Sequence, residues 1–359
     1  EVYVPLHIVR RPQPLDGASD ELGIENLFLT PAASNPHALL LGDPGAGKTT
    51  GLLKLLHRCL GPDGPASLGL EPGTLPVFVR LRRFTPEDLD RPFAGFLQRE
   101  LEREIGEVAK GRIAPDLGAR LWAHGRLLLL LDGLDEIAEP DLRAQVCQLL
   151  DDWELQPLQP PHLRAVLSCR FSGYGAKVRL DDRFAPLAVR PLDATQCRNL
   201  VRRWFRAAQR VLPDRLSKQE ALTATEGLIT ALDSPAGYGS QRWKVLVGSP
   251  LLLTLLCVIA YRGGQMPKHR TAFYDQCLRV LLGPWSRGKR EGGTVPAGPP
   301  PLDVESALAV LRAVAWELHQ RGSWGDLSVM ELAVILGESQ MIPQGRGQGR
   351  DVPARQVLE

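Results

Sequence analysis

The chain has 359 residues, enough for two or three domains of ordinary size, and its 44% hydrophobic and 23% charged residues exclude a disordered or fibrous class. A formal net charge of +2 excludes neither nucleic acid nor acidic partners, because a modest balance can hide a local patch. Six scattered cysteines without a CxxC pair argue against a zinc site and a disulfide scaffold, and point to a reducing, cytoplasmic compartment.

There is no initiator Met and no signal peptide, so residue 1 reads as a cut through a longer protein. The first half alternates apolar runs with helical patterns, which predicts a parallel sheet covered on both faces. Residues 38–41, 75–81, 127–131 and 165–169 are bounded by turn residues and read as buried strands, with a fifth at 184–191. From Asp193 onward the periodicity is helical. Asp193 is an expected N-cap for a helix whose apolar stripe is Leu200, Val201, Trp204 and Phe205. Further helices are expected near 218–232, 242–247, 250–261, 272–282, 304–320 and 328–337, with a Gly/Pro-rich loop between the last two and the rest. The apolar run 245–261 is shorter than the roughly 20 residues a membrane span needs. Gly248-Ser249-Pro250 interrupts it, so it reads as a buried helix beginning near Pro250.

Between the first strand and the first helix lie Gly42, Asp43, Pro44, Gly45, Ala46, Gly47, Lys48 and Thr49, then Thr50. This fits GxxxxGK[ST]: glycines let backbone N–H groups turn inward around an anion, and the helix adds its positive end. Lys48 would reach the β- and γ-phosphates and Thr49 would ligate Mg²⁺. Such a loop needs a carboxylate from a second strand. "RLLLLLDGLDEI" supplies Asp132 at a strand's carboxyl end, where open α/β sheets bind ligands. Asp135 and Glu136 follow, and either of them would orient or deprotonate an attacking water. Arg170, at the end of "LRAVLSCRF", is placed to read a γ-phosphate through charge-assisted hydrogen bonds.

Together these residues resemble a NACHT ATPase of the STAND class of signalling NTPases, as in bacterial NLR-like proteins. The most specific match is "LLLLLDGLDE", a small residue and an acidic pair after the metal-binding aspartate. Weaker matches agree: "VYVPL" resembles the segment before the P-loop, "LPVFVRLRRF" the second strand, "SCRFSGYG" the sensor strand and "PLDATQCRNLVRRWF" the start of the helical domain. "GSPLLLTLLC" is similar to the GxP motif, whose proline packs on adenine; here that is Pro250. "FYDQCLRVLLGPW" and "VLRAVAWELHQRG" resemble the end of the helical domain and the start of a winged helix. The winged helix looks truncated, and the histidine that in some relatives reaches the β-phosphate is not matched to any one residue of this sequence.

The resemblance implies an α/β P-loop NTPase of the ASCE type, with strand order 5-1-4-3-2, then a helical domain and a partial winged helix. The expected domains are 1–191, 192–284 and 302–359, with a loop at 285–301. It also implies a signalling switch: ATP/ADP and Mg²⁺ as cofactors, slow hydrolysis as reset, and self-association when ATP is bound. Effector and sensor domains would lie outside this chain, as in innate immunity and antiviral defence. No membrane and no direct nucleic-acid contact are expected. An alternative, an ATPase that remodels nucleic acid, rests on Arg198, Arg202, Arg203, Arg206 and Arg210 along one helix. A small-molecule kinase is a third reading, disfavoured by the lack of a lid-like insertion.

Overall fold

Strands that are apolar along their whole length can be covered on both faces only inside a sheet flanked by helices. The computed structural model, which describes residues 2–10, 21–29, 36–89, 93–105, 113–155, 162–175, 178–235, 237–263, 266–283, 303–320, 332 and 334, has that form. In chain order come β1 (His7–Arg10), β2 (Leu22–Gly23), β3 (His37–Leu41), α1 (Lys48–Cys59), β4 (Leu75–Arg80), α2 (Phe93–Ile105), α3 (Leu117–His124), β5 (Leu127–Asp132), α4 (Pro140–Asp151), β6 (Arg164–Cys169) and β7 (Phe184–Val189). The helices α5 (Ala194–Val211), α6 (Lys218–Asp233), α7 (Gln241–Val247), α8 (Pro250–Tyr261), α9 (Arg270–Leu282) and α10 (Val304–Gln320) follow.

Among the described residues, seven strands form one sheet in the order β2-β1-β7-β3-β6-β5-β4. The pairs from β7 to β4 are parallel, and numbered as the five expected strands they run 5-1-4-3-2. The sequence reading does not anticipate β1 and β2, which extend the sheet antiparallel beyond β7. Pairing with β1 covers residues 187–189 and stops short of Pro186, which has no N–H to give.

The register sets the site. Leu41 lies opposite Cys169 and Arg80 opposite Asp132, so β3, β6 and β5 all end at one edge. Every residue of β3 and β5 is buried. Beside them Phe93, Trp122 and Trp153 pack with ring centroids 5.1, 4.9 and 5.5 Å apart. Near this cluster Asp88, only 1% exposed, accepts hydrogen bonds from Arg99, at 2.6 Å on one arm, and from the Thr85 hydroxyl and N–H.

Asp193 caps α5 as expected: its carboxylate accepts from the Gln196 N–H at 2.8 Å, and the Gln196 side-chain oxygen accepts from the Asp193 N–H at 2.9 Å. The chain divides into two compact units, Glu1–Thr254 and Leu255–Glu359, the division falling inside α8. Within the second unit Arg279 of α9 bonds Asp275 at 2.7 Å and also reaches Glu305 of α10. The expected Gly/Pro-rich loop and, apart from residues 332 and 334, the expected helix at 328–337 lie outside the described residues. No helix among the described residues is long and apolar enough to cross a membrane.

Candidate nucleotide site

A loop leaving a buried strand must turn sharply to feed a helix that packs back on the sheet. Gly45 (φ 75°) and Gly47 (φ 91°) make that turn in the left-handed region, and Gly47 caps α1. The space around the turn is tight, since a Cβ on Gly45 would lie 2.8 Å from the Leu251 Cβ. The Gly45 carbonyl accepts from the Leu251 N–H and the Ser249 hydroxyl, both at 3.3 Å. The loop is thereby tied to the start of α8.

Lys48 folds back over the loop, its Nζ donating to the Gly42 carbonyl at 2.7 Å and the Asp43 carbonyl at 3.1 Å. Burial pulls its pKa below the ordinary lysine value, with Arg170 adding to the effect and Asp135 opposing it. The Thr49 hydroxyl lies 2.9 and 3.1 Å from the two oxygens of Asp132. A hydroxyl beside a carboxylate offers the hard oxygen donors that Mg²⁺ takes when phosphates complete its shell. Among the described residues no cluster of three or more His, Cys, Asp or Glu side chains offers a protein-only metal cage. The left-handed loop, the lysine and this oxygen pair fit a magnesium-bound nucleotide.

The acidic pair after Asp132 divides. Gly133 (φ 78°) brings the turn so close that a Cβ there would be 2.9 Å from the Glu136 carboxyl carbon. Glu136 is exposed and borders the cavity. Asp135 is engaged with Arg170: its Oδ1 accepts the Arg170 N–H at 2.9 Å, and its Oδ2 pairs with the Arg170 Nε at 2.9 Å. The Asp135 side chain is 10% exposed, whereas that of Arg170 is 46% exposed.

These groups border a cavity of about 590 Å³. Pro44, Gly45, Gly47, Lys48, Thr49, Thr50, Asp132, Asp135, Glu136 and Arg170 line it, and so do the apolar side chains of Val4, Leu6, Leu192, Leu200, Pro250 and Leu251. Gly42, Asp43 and Ala46 belong to the loop but do not line the cavity. The wall formed by residues 2–6 is pinned by α5: Gln196 donates to the Pro5 carbonyl at 2.7 Å, and Arg203 donates to the Tyr3 carbonyl. Sequence reasoning missed Ser168, Ser249 and Leu251. Only Ser168 carried a usable signal, lying two residues before Arg170 on a strand that ends at the site.

A strand–loop–helix anion cradle with its lysine, and a carboxylate at the end of a nearby parallel strand, define a P-loop NTPase. Residues 37–208 match the family model for the NACHT domain, and this segment is a NACHT domain, a module of an NTPase family. No curated protein matches the chain. Among solved structures the chain is similar to the Walker-type ATPase of Pyrococcus abyssi, at 17% identity and TM-score 0.38, over 93% of this chain and 91% of that one. It is also similar to the Orc1 protein of Aeropyrum pernix in complex with DNA, at 15% identity and TM-score 0.35, over 85% and 77% of the two chains. Drosophila ORC bound to DNA matches at 13% identity and TM-score 0.35, over 90% and 80%.

Proposed function

We propose that the chain is an ATP-binding, slowly hydrolysing switch that governs self-association of a larger signalling protein. The observation that carries this reading is the shared wall of the cavity: the loop that would hold the phosphates and the start of α8 enclose one space and are bonded through Gly45. A nucleotide there would contact both. In this reading residues 1–191 bind nucleotide, 192–284 form a helical domain, and a winged helix starts at 302. Effector and sensor segments outside the chain, and a role in antiviral defence, belong to the same proposal.

Lys48 would hold the β- and γ-phosphates, with Thr50 beside them. Thr49 and Asp132 would hold Mg²⁺, which when bound neutralises charge on the phosphate oxygens. Glu136 would orient and deprotonate the attacking water. Arg170 would read the γ-phosphate, and Asp135 would position that guanidinium. Pro250, with Val4, Leu6 and Leu251, would face the adenine.

The energetics favour a switch that needs help. Moving a closed/open equilibrium from 1:99 to 99:1 takes about 5.5 kcal/mol of differential binding. A charge-assisted hydrogen bond contributes about 1.5–3 kcal/mol. Arg170 must exchange its Asp135 side-chain contact for a γ-phosphate, so its net contribution falls short of that. ATP is therefore necessary and not sufficient, and a trigger or neighbouring protomers supply the rest. The test is Lys48→Ala, for which ATP affinity falls about 10–100-fold on the same scale. Unchanged affinity would remove the phosphate role of the loop.

A further inference from the structure

Asp132 makes a contact that the loop motif does not account for. Ser168, on β6, is 1% exposed, and its hydroxyl donates to Asp132 Oδ1 at 2.7 Å. The Ser168 hydroxyl oxygen in turn accepts the Gly133 N–H at 2.9 Å. A serine hydroxyl has one proton, and here it is committed to the carboxylate. The Gly133 N–H also bonds the hydroxyl oxygen, so the serine side chain cannot change rotamer without leaving a buried donor unmatched. At 2.7 Å the contact is a well-formed O–H···O hydrogen bond.

The carboxylate is thus held between two hydroxyls from different elements. Thr49 of α1 approaches both of its oxygens, while Ser168 of β6 reaches Oδ1 alone. Without Ser168, the Asp132 side chain, itself 7% exposed, would keep its length and charge but be held by Thr49 alone of the two hydroxyls. We propose that Ser168 is a positioning residue for metal–nucleotide binding: it orients the Asp132 carboxylate from the neighbouring strand. The inference rests on the reading of Thr49 and Asp132 as the pair that holds Mg²⁺. Partners that orient a metal-binding side chain typically change metal affinity by about 10–100-fold when removed.

The experiment titrates Mg²⁺ into protein carrying a fluorescent ATP analogue, starting from EDTA-treated samples, with a melting curve for each variant. Ser168→Ala and the volume-conserving Ser168→Cys are expected to weaken Mg²⁺ affinity about 10–100-fold. Neither should change affinity for the metal-free analogue, and Ser168→Thr, which keeps the hydroxyl, should restore metal affinity to within about threefold on that scale. Mg²⁺ affinity within twofold of the parent in a folded Ala or Cys variant would overturn the proposal, and so would equal losses in the Thr variant. If analogue binding by the parent protein does not respond to Mg²⁺, the reading of Thr49 and Asp132 fails, and this inference with it. A normal parent response with unaffected Ala and Cys variants defeats only the role of Ser168.

Discussion

Asp135 holds Arg170 at two points, backbone N–H on one carboxylate oxygen and guanidinium Nε on the other, each at 2.9 Å. The acid follows β5 and the arginine follows β6, so the pair joins the ends of adjacent strands at the rim of the cavity. The contact is tight behind Asp135, where a Cβ on Gly173 would come 2.4 Å from the aspartate Cβ. This arrangement suits an acid that aims the Arg170 guanidinium better than one that handles water.

A double-mutant cycle tests that assignment. Arg170→Ala should cut the ratio of ATP to ADP affinity by about tenfold, the equivalent of one charge-assisted hydrogen bond. Because Asp135 works through Arg170, Asp135→Asn combined with Arg170→Ala should be no worse than Arg170→Ala alone. Independent, additive losses would give Asp135 a separate role.

Glu136→Gln should leave ATP affinity in place and slow turnover by about 10²–10⁴-fold, the usual contribution of a general base. Single-turnover release of phosphate reads this directly. Unaltered turnover would move the base to Asp135.

Asp88 offers a pH-dependent test of the fold. Burial pushes its carboxyl pKa up, but hydrogen bonds from Arg99 and Thr85 and the arginine charge outweigh it, leaving the value below the ordinary 3.8. A depressed acid stabilises the folded chain above its unfolded pKa, and that stability is lost as pH falls through the folded value. Asp88→Asn should therefore cost about 1.5–3 kcal/mol at neutral pH. The gap to the parent should close as pH falls below 3.8, and a constant gap in denaturant titrations across that range would contradict the assignment.

The arginines of α5 do not act as one row. Arg198 pairs with Asp233 at 3.0 Å, and Arg203 turns to the Tyr3 carbonyl, leaving Arg202 and Arg206 beside a separate cavity with Lys218. The switch reading predicts no salt-dependent retardation of DNA or RNA. A shift that disappears in Arg202→Ala/Arg206→Ala would favour the remodelling alternative instead.

Much of the sheet is legible in the sequence because a strand covered on both faces is a continuous apolar run, and five of them appear. The order 5-1-4-3-2 came from the family resemblance, since periodicity says nothing about which strands are neighbours. β1 and β2 escaped notice for a physical reason: strands of four and two residues carry no readable period. The phosphate loop is legible because its chemistry is local. The contacts of Asp132 with Ser168, of Asp135 with Arg170 and of Gln196 with Pro5 join residues 36, 35 and 191 positions apart, and only the assembled sheet brings them together. Residue type pointed to an acid near the loop, and the structure separates Asp135, bonded to Arg170, from the exposed Glu136.

The central claim is that ATP biases the chain toward self-association without completing it. Light scattering gives the mass of Glu136→Gln protein, which should keep ATP intact, under saturating ADP and then saturating ATP. The account predicts single-chain mass with ADP and a minority of assembled protein with ATP. Complete assembly with ATP alone, or identical mass with both nucleotides, would contradict it.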